Sequence, residues 1–326
     1  MSREDLREDQ PEFKAEEENI LKKIKEICSN LEGYLKGNVI LYMMAGGWSS
    51  IERQHVDDID DFLHSLEKKE DRDLYLILHS SGGDADAAYH IAKMLNEYVG
   101  NKSNLNIIVP RWAKSAATLL ALAGNQVFMT KIAELGPIDP QIKIGAEWIS
   151  AASIELSLKK ILKILLDLSE PEKRLPEEVC SQLFSRMPIN QIGEYDRLIT
   201  YSEELAKEIL IMRMYKGNVK AAESVANKLV RGYSYHGRPI TCEDAKAINI
   251  QADYVPPGAS SLVKDLYNHF KALIRLREQH LEPLITFFRQ EMGLDLLPRI
   301  TDKIVIENHG LLYVPSYEFL QRFTRR

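Results

Sequence analysis

Cysteine is scarce in this 326-residue chain: Cys28, Cys180 and Cys242 are three in number, far apart, and form no CxxC pair. That excludes a disulfide framework and fits unpaired thiols in a reducing compartment. The eight histidines are scattered, and none stands at ligand spacing from a cysteine or carboxylate, so no metal is expected. Positive charge is not in excess. The formal net charge is −6, which argues against a nucleic-acid footprint. Nowhere does an apolar run approach the roughly 20 residues that cross a bilayer, and the charged N-terminal residues carry no apolar signal region. A cytoplasmic protein without a membrane segment is the expectation.

What is present is the composition of an ordinary globular protein, 45% hydrophobic and 28% charged, on a chain long enough to bury a large core. Residues 1–19 are dense in charge and read as a disordered arm. Apolar residues from Ile20 to Leu35 recur at helical spacing. Beyond them, 39–44, 74–78, 105–110 and 126–129 read as buried strands, with helices over 56–66, 84–98 and 113–123 between them. This alternation predicts βαβ units and a parallel sheet covered on both faces. Residues 145–190 break the regularity and read as a variable helical insertion. A long helix is expected over about 193–230 and a short one over 241–249. After Pro256, a tail to residue 326 reads as a mainly helical appendage with two short terminal strands, suited to oligomerisation.

Two strand ends carry chemistry. His79-Ser80-Ser81-Gly82-Gly83-Asp84 places two glycines between a strand and a helix, where backbone N–H groups can approach a ligand closely and hold an anion. The same residues also suit a tight turn with Asp84 as helix cap. Ser115, in Trp112-Ala113-Lys114-Ser115-Ala116-Ala117, lies between a strand and a helix of small residues, as a nucleophile with room for substrate or as a plain cap. The two elements are one βαβ unit apart, so both fall on the sheet edge where α/β proteins bind ligands.

Ser81-Gly82-Gly83, Ala113 to Ala117, and Leu120-Ala121-Leu122-Ala123-Gly124 together resemble the proteolytic subunit of Clp protease and the signal peptide peptidase A family. The match continues through residues 133–141 and 233–250, and the whole most resembles the serine dehydrogenase proteinases, over roughly residues 35–255. The resemblance implies a ClpP/crotonase-like fold of repeated ββα units for residues 20–255. It implies Ser115 as nucleophile and Gly83 and Ala116 as oxyanion donors; Gly82 and Trp112 are candidates to border the substrate, Trp112 either walling the site or simply packing. It further implies a homo-oligomer, a peptide or unfolded-protein substrate, and no cofactor.

One residue departs from the pattern. Where Clp protease has its histidine, this chain has Ile138, and serine at its free pKa needs a base. His236 is the candidate, with Asp139 as orienting carboxylate, a rearranged triad recognisable by geometry rather than order. Lys207, on the long helix, is the alternative base by analogy with signal peptide peptidase A. Serine peptidase is therefore the leading reading. A crotonase-like acyl-CoA enzyme using the same N–H groups, and an inactive oligomeric scaffold, stand as alternatives.

Overall fold

The computed structural model describes residues 11–45, 49–66, 72–144, 147–167, 181–182, 185, 189–292, 301–306 and 308–315. Helix α1 (Pro11–Leu35) leads into β1 (Asn38–Met44). Then follow α2 (Gln54–Ser65), β2 (Leu74–His79), α3 (Ala85–Val99), β3 (Leu105–Val109), β4 (Trp112–Ala113), α4 (Ala116–Ala121), β5 (Gln126–Met129) and β6 (Glu134–Leu135). A hairpin, β7 (Gln141–Ile144) and β8 (Glu147–Ser150), precedes α5 (Ala151–Asp167). The chain continues through α6 (Ile189–Met212), α7 (Val219–Arg231), α8 (Cys242–Ala247), β9 (Ala252–Tyr254), α9 (Pro257–Met292), β10 (Thr301–Ile306) and β11 (Gly310–Pro315).

Seven strands form the central sheet in the order β10-β11-β1-β2-β3-β5-β9. Every pairing in it is parallel except β10 with β11. This is the expected α/β class with a mostly parallel sheet. The strands are apolar on both faces because both are covered. Alternation divides them: Val39, Leu41, Met43, Ile77 and Ile108 pack under α1 and α9. Ile40, Tyr42, Met44, Leu76, Leu78 and Ile107 face the other helices. Burying one such side chain fully contributes about 1.5–3 kcal/mol, so the two layers dominate the stability.

Four local expectations are corrected. The first helix starts at Pro11, not at 20; proline suits a first helical position, and Phe13 is buried and stacks on His280 at 4.3 Å. Its partner lies on α9, so no local pattern announces it; residues 1–10 lie outside the described residues. The helix expected over 193–230 is two, because Gly217 takes a left-handed φ of +80° and Asn218 caps α7 by accepting from Ala221 N–H at 3.2 Å. The helix expected over 113–123 is shorter: Trp112–Ala113 is a strand paired with β6. The terminal strands, read as part of an appendage, join the central sheet through β11 and β1. In the insertion, β7–β8 and α5 are described; Cys180 lies outside the described residues. Among the described residues no helix is long and apolar enough to cross a membrane.

Candidate active site

The glycine loop after β2 is held from both sides. Ser80, fully buried, bonds to β4 through its own backbone, Ser80 N–H to Trp112 O at 3.0 Å and Lys114 N–H to Ser80 O at 3.1 Å. Its hydroxyl accepts from Gly82 N–H at 3.1 Å. On the opposite side Ile51 N–H donates to Gly82 O at 2.7 Å, and Asp84 N–H donates to Ile51 O at 2.8 Å. That bridge consumes the carbonyl before Gly83 and the amide after it. The Gly83 N–H itself has no acceptor among the described residues.

Glycine is required at both positions. Gly82 and Gly83 have φ of +107° and +142°. A Cβ on Gly82 would lie 2.8 Å from Ser115 Cβ, and one on Gly83 would lie 2.3 Å from Ile51 O. The first figure also shows how close the two strand ends come. Asp84 begins α3 by accepting from Ala87 N–H at 2.9 Å, so the capping role read from the sequence coexists with the loop's geometry.

Ser115 has φ 50° and ψ −120°, a conformation unfavourable for a residue with a Cβ, and its side chain makes no capping bond. Such strain costs on the order of 1–3 kcal/mol and persists only where the surroundings impose it. Ala116, next in line, opens α4, and the first amides of a helix have no partner within it. Thr118 is buried, donates to Ala113 O at 2.5 Å and accepts from Gly136 N–H at 2.9 Å, tying α4 to the loop that follows β6.

That loop carries Ile138 and Asp139. Ile138 N–H donates to Leu229 O at 3.1 Å, and Leu135 and Ile240 exchange a pair of backbone bonds at 2.9 and 3.0 Å. The exchange draws the 233–241 segment alongside. There His236 Nδ1 lies 2.8 Å from Asp139 Oδ1, with the carboxylate side chain only 5% exposed and the imidazole 21% exposed. A carboxylate only accepts, so Nδ1 carries the proton, and in the neutral form of the ring Nε2 is the acceptor.

Ser115, Gly83, Ala116, Ile138, Asp139 and His236 all line one cavity of about 540 Å³. Gly82 stands behind Gly83, against Ser115. No hydrogen bond joins Ser115 to His236 in this structure; the shared cavity, not a direct bond, brings them together. Two sequence-based candidates are elsewhere. Lys207 pairs with Glu223 at 3.4 Å on the outer side of α6. Ser202 and Leu205, three residues apart on that helix, face the cavity, and a residue two beyond Leu205 points away. Trp112 does not line the cavity: strand alternation sends its ring to the other side, where it stacks on His79 at 5.6 Å.

His79 is buried, accepts from Trp112 N–H through Nδ1 at 3.2 Å, and is held down to a pKa of about 4 by burial. Lys114 is turned away from Ser115, bonding Glu134 at 2.8 Å and Leu135 O at 3.1 Å. Burial alone would raise the Glu134 carboxyl, but Lys114 and Arg111 outweigh it and hold it below its ordinary value.

Sequence reasoning missed Ile51, Leu119, Trp148, Ser202 and Leu205, which also line the cavity. Leu119 had a local signal, one turn beyond Ser115 on α4. The others had none: Trp148 reaches the cavity from the β7–β8 hairpin, and Ile51 lies before α2.

The family model described as ClpP-like SDH-type serine proteinase matches residues 51–278 of this chain. Two uncharacterized proteins of Methanocaldococcus jannaschii are 29% identical over 219 residues and 28% identical over 214, each alignment covering 65% of this chain. The matches span 63% and 65% of those relatives, just under two thirds of their length. A solved structure of a mutant of 1510-N, a membrane-bound stomatin-specific protease, is similar at 16% identity with a TM-score of 0.38, covering 72% of this chain and 84% of that one.

Proposed function

The chain belongs to the ClpP-like SDH-type serine proteinases, and from that membership and the geometry above we propose that it hydrolyses peptide bonds through a Ser115 acyl-enzyme. The observation that carries the reading is the single cavity shared by Ser115, the Gly83 loop and the Asp139–His236 pair at 2.8 Å.

The chemistry assigns each group one task. His236 Nε2 takes the proton from Ser115 Oγ as Oγ bonds to the substrate carbonyl carbon. The carbonyl oxygen becomes an oxyanion, held by the N–H groups of Gly83 and Ala116. Collapse of the tetrahedral species breaks the C–N bond, and the departing amine receives the proton from His236. Water then attacks the acyl-enzyme, giving its proton to the same nitrogen, and Ser115 recovers its own as the acid leaves. Asp139 fixes the Nδ1–H tautomer and stabilises the imidazolium between proton transfers. The Ser115–His236 hydrogen bond forms as substrate fills the cavity, since catalytic bonds are often long in the empty enzyme.

The orphan amides support the oxyanion role, and the tolerance of strain at Ser115 supports the nucleophile's. By resemblance the enzyme acts as a homo-oligomer, which sedimentation would read.

A fluorophosphonate probe tests the assignment. Wild type is labelled and Ser115→Ala is not; His236→Gln slows labelling by at least about 10², and Lys207→Met labels as wild type does. Equal labelling of wild type and Ser115→Ala removes the nucleophile. No labelling and no peptide turnover in an assembled wild type leaves the scaffold reading. Coenzyme A thioester binding with Ser115 dispensable leaves the crotonase-like one.

A further inference from the structure

Outside the matched segment, the C-terminal hairpin β10–β11 reaches the loop that clamps the glycine turn. Tyr313, on β11, is buried and holds that loop at both ends. Its carbonyl accepts from Ala45 N–H at 2.9 Å, where β1 finishes. Its ring stacks on the imidazole of His55, at the start of α2, with centroids 3.9 Å apart and planes 28° apart. Its hydroxyl donates to Asp58 Oδ2 at 2.8 Å, one turn further along α2. Lys303 Nζ, from β10, bonds the other oxygen of Asp58 at 2.5 Å, and Tyr42 Oη lies 2.9 Å from His55 Nδ1.

Between those fixed ends stand Ser49, whose N–H donates to Ala45 O at 3.0 Å, and Ile51, whose N–H and C=O bond Gly82 O and Asp84 N–H. Ile51 approaches Gly83 closely enough to exclude any side chain there. A shift of Ile51 therefore turns the Gly83 peptide, whose N–H has no acceptor among the described residues and whose residue lines the cavity. Buried aromatic stacking and a charge-assisted hydrogen bond are strong enough to set such a position.

We infer that Tyr313 is a positioning residue for the oxyanion glycine, acting through His55, Asp58 and Ile51, so that the C-terminal hairpin is part of the catalytic apparatus. The inference rests on the peptidase reading for its catalytic consequence, but not for its structural one.

The test is Tyr313→Leu in the full chain, with Tyr313→Phe as a milder variant that keeps the stack and loses only the hydroxyl. In Tyr313→Leu, kcat on a peptide falls about tenfold while KM stays within about twofold, a fraction of what an oxyanion donor supplies. Amide hydrogen exchange at Ile51 and Asp84 accelerates about tenfold or more, while the amides of β3 and β5 exchange as in wild type. Tyr313→Phe shows the same pattern at smaller size. Unchanged exchange at Ile51 and Asp84 overturns the inference, and so does a uniform acceleration across the sheet, which would mark a merely structural residue. If Tyr313→Leu does not fold, the same two exchange outcomes in Tyr313→Phe decide. Should wild type prove inactive on every peptide, the peptidase reading fails, and the exchange measurement still judges the coupling on its own.

Discussion

The same two strand ends, 79–84 and 112–116, present opposite characters on their two sides. On one side His79 and Trp112 stack on each other, and Tyr267 and Phe270 of α9 meet the imidazole edge-on at 5.1 and 5.9 Å. On the other side Gly82, Gly83 and Ser115 all hold positive φ, Gly83 and Ser115 line the cavity, and the Gly83 N–H has no acceptor among the described residues. The packed side is relaxed and satisfied; the open side is strained and unsatisfied. Each explains the other, because backbone strain survives only when rigid surroundings leave the chain no cheaper path. A stack of aromatics, with His79 three residues before Gly82 and Trp112 three before Ser115, supplies that rigidity.

The contrast breaks most visibly at Gly83. Gly83→Ala puts a Cβ against Ile51 O, at 2.3 Å in the present backbone, and at a φ of +142°. The peptide must turn, and turnover is expected to fall on the order of 10²-fold. The imidazole resonances of His79 should stay where they are. Peptide kinetics and one NMR spectrum check both halves; wild-type turnover in the variant would remove Gly83 from the oxyanion hole.

The packed side is reached through pH. Burial holds His79 at about 4 against an ordinary 6.5, so the unfolded chain binds a proton in that window that the folded chain refuses. Stability is therefore fully present above about pH 6.5 and falls as pH drops toward 4. His55 is lowered to about 4 as well, chiefly by burial, and adds to the slope. His79→Asn, whose amide oxygen can still accept from Trp112 N–H, should cut the acid loss by on the order of 3 kcal/mol. Urea unfolding at pH 7 and pH 4.5 measures it, and an unaltered slope in the variant would show that His79 titrates normally.

The smallest effect is the sharpest about strain. Ser115→Gly removes the proposed nucleophile yet relieves a φ of 50° with ψ of −120°. The relief, less the extra chain entropy of glycine, should raise stability by about 1 kcal/mol. A denaturant midpoint lower than that of wild type would mean that Ser115 is not strained.

Much of this was legible beforehand, and the failures are physically uniform. Strands β1, β2, β3 and β5 were read within a residue or two, because fully buried parallel strands are short apolar runs bounded by turn residues. That Gly83 and Ser115 would share one cavity was legible because each sits where a strand ends, at a spacing of one crossover. Trp112 was misplaced since proximity in sequence was taken for proximity in space, against the alternation of β4. Lys207 was misplaced for the helical version of that reason: its side chain lies on the face opposite Leu205. The α6–α7 break was visible in principle, in Lys216-Gly217-Asn218, a stop followed by a cap.

By itself, then, the sequence determined four neighbouring strands of the sheet, β1, β2, β3 and β5, and the two strand ends that border the cavity, since all of these follow from relations a few residues long. The Asp139–His236 pair was expected only through the family resemblance, and tertiary structure decided that it shares the cavity with Ser115. His236 stands 97 residues from Asp139 and reaches it only through the Leu135–Ile240 bridge, just as Tyr313 reaches Asp58 across 255 residues only because β11 pairs with β1. Contacts of that range depend on loop closure paid for by packing elsewhere, and no local pattern records them.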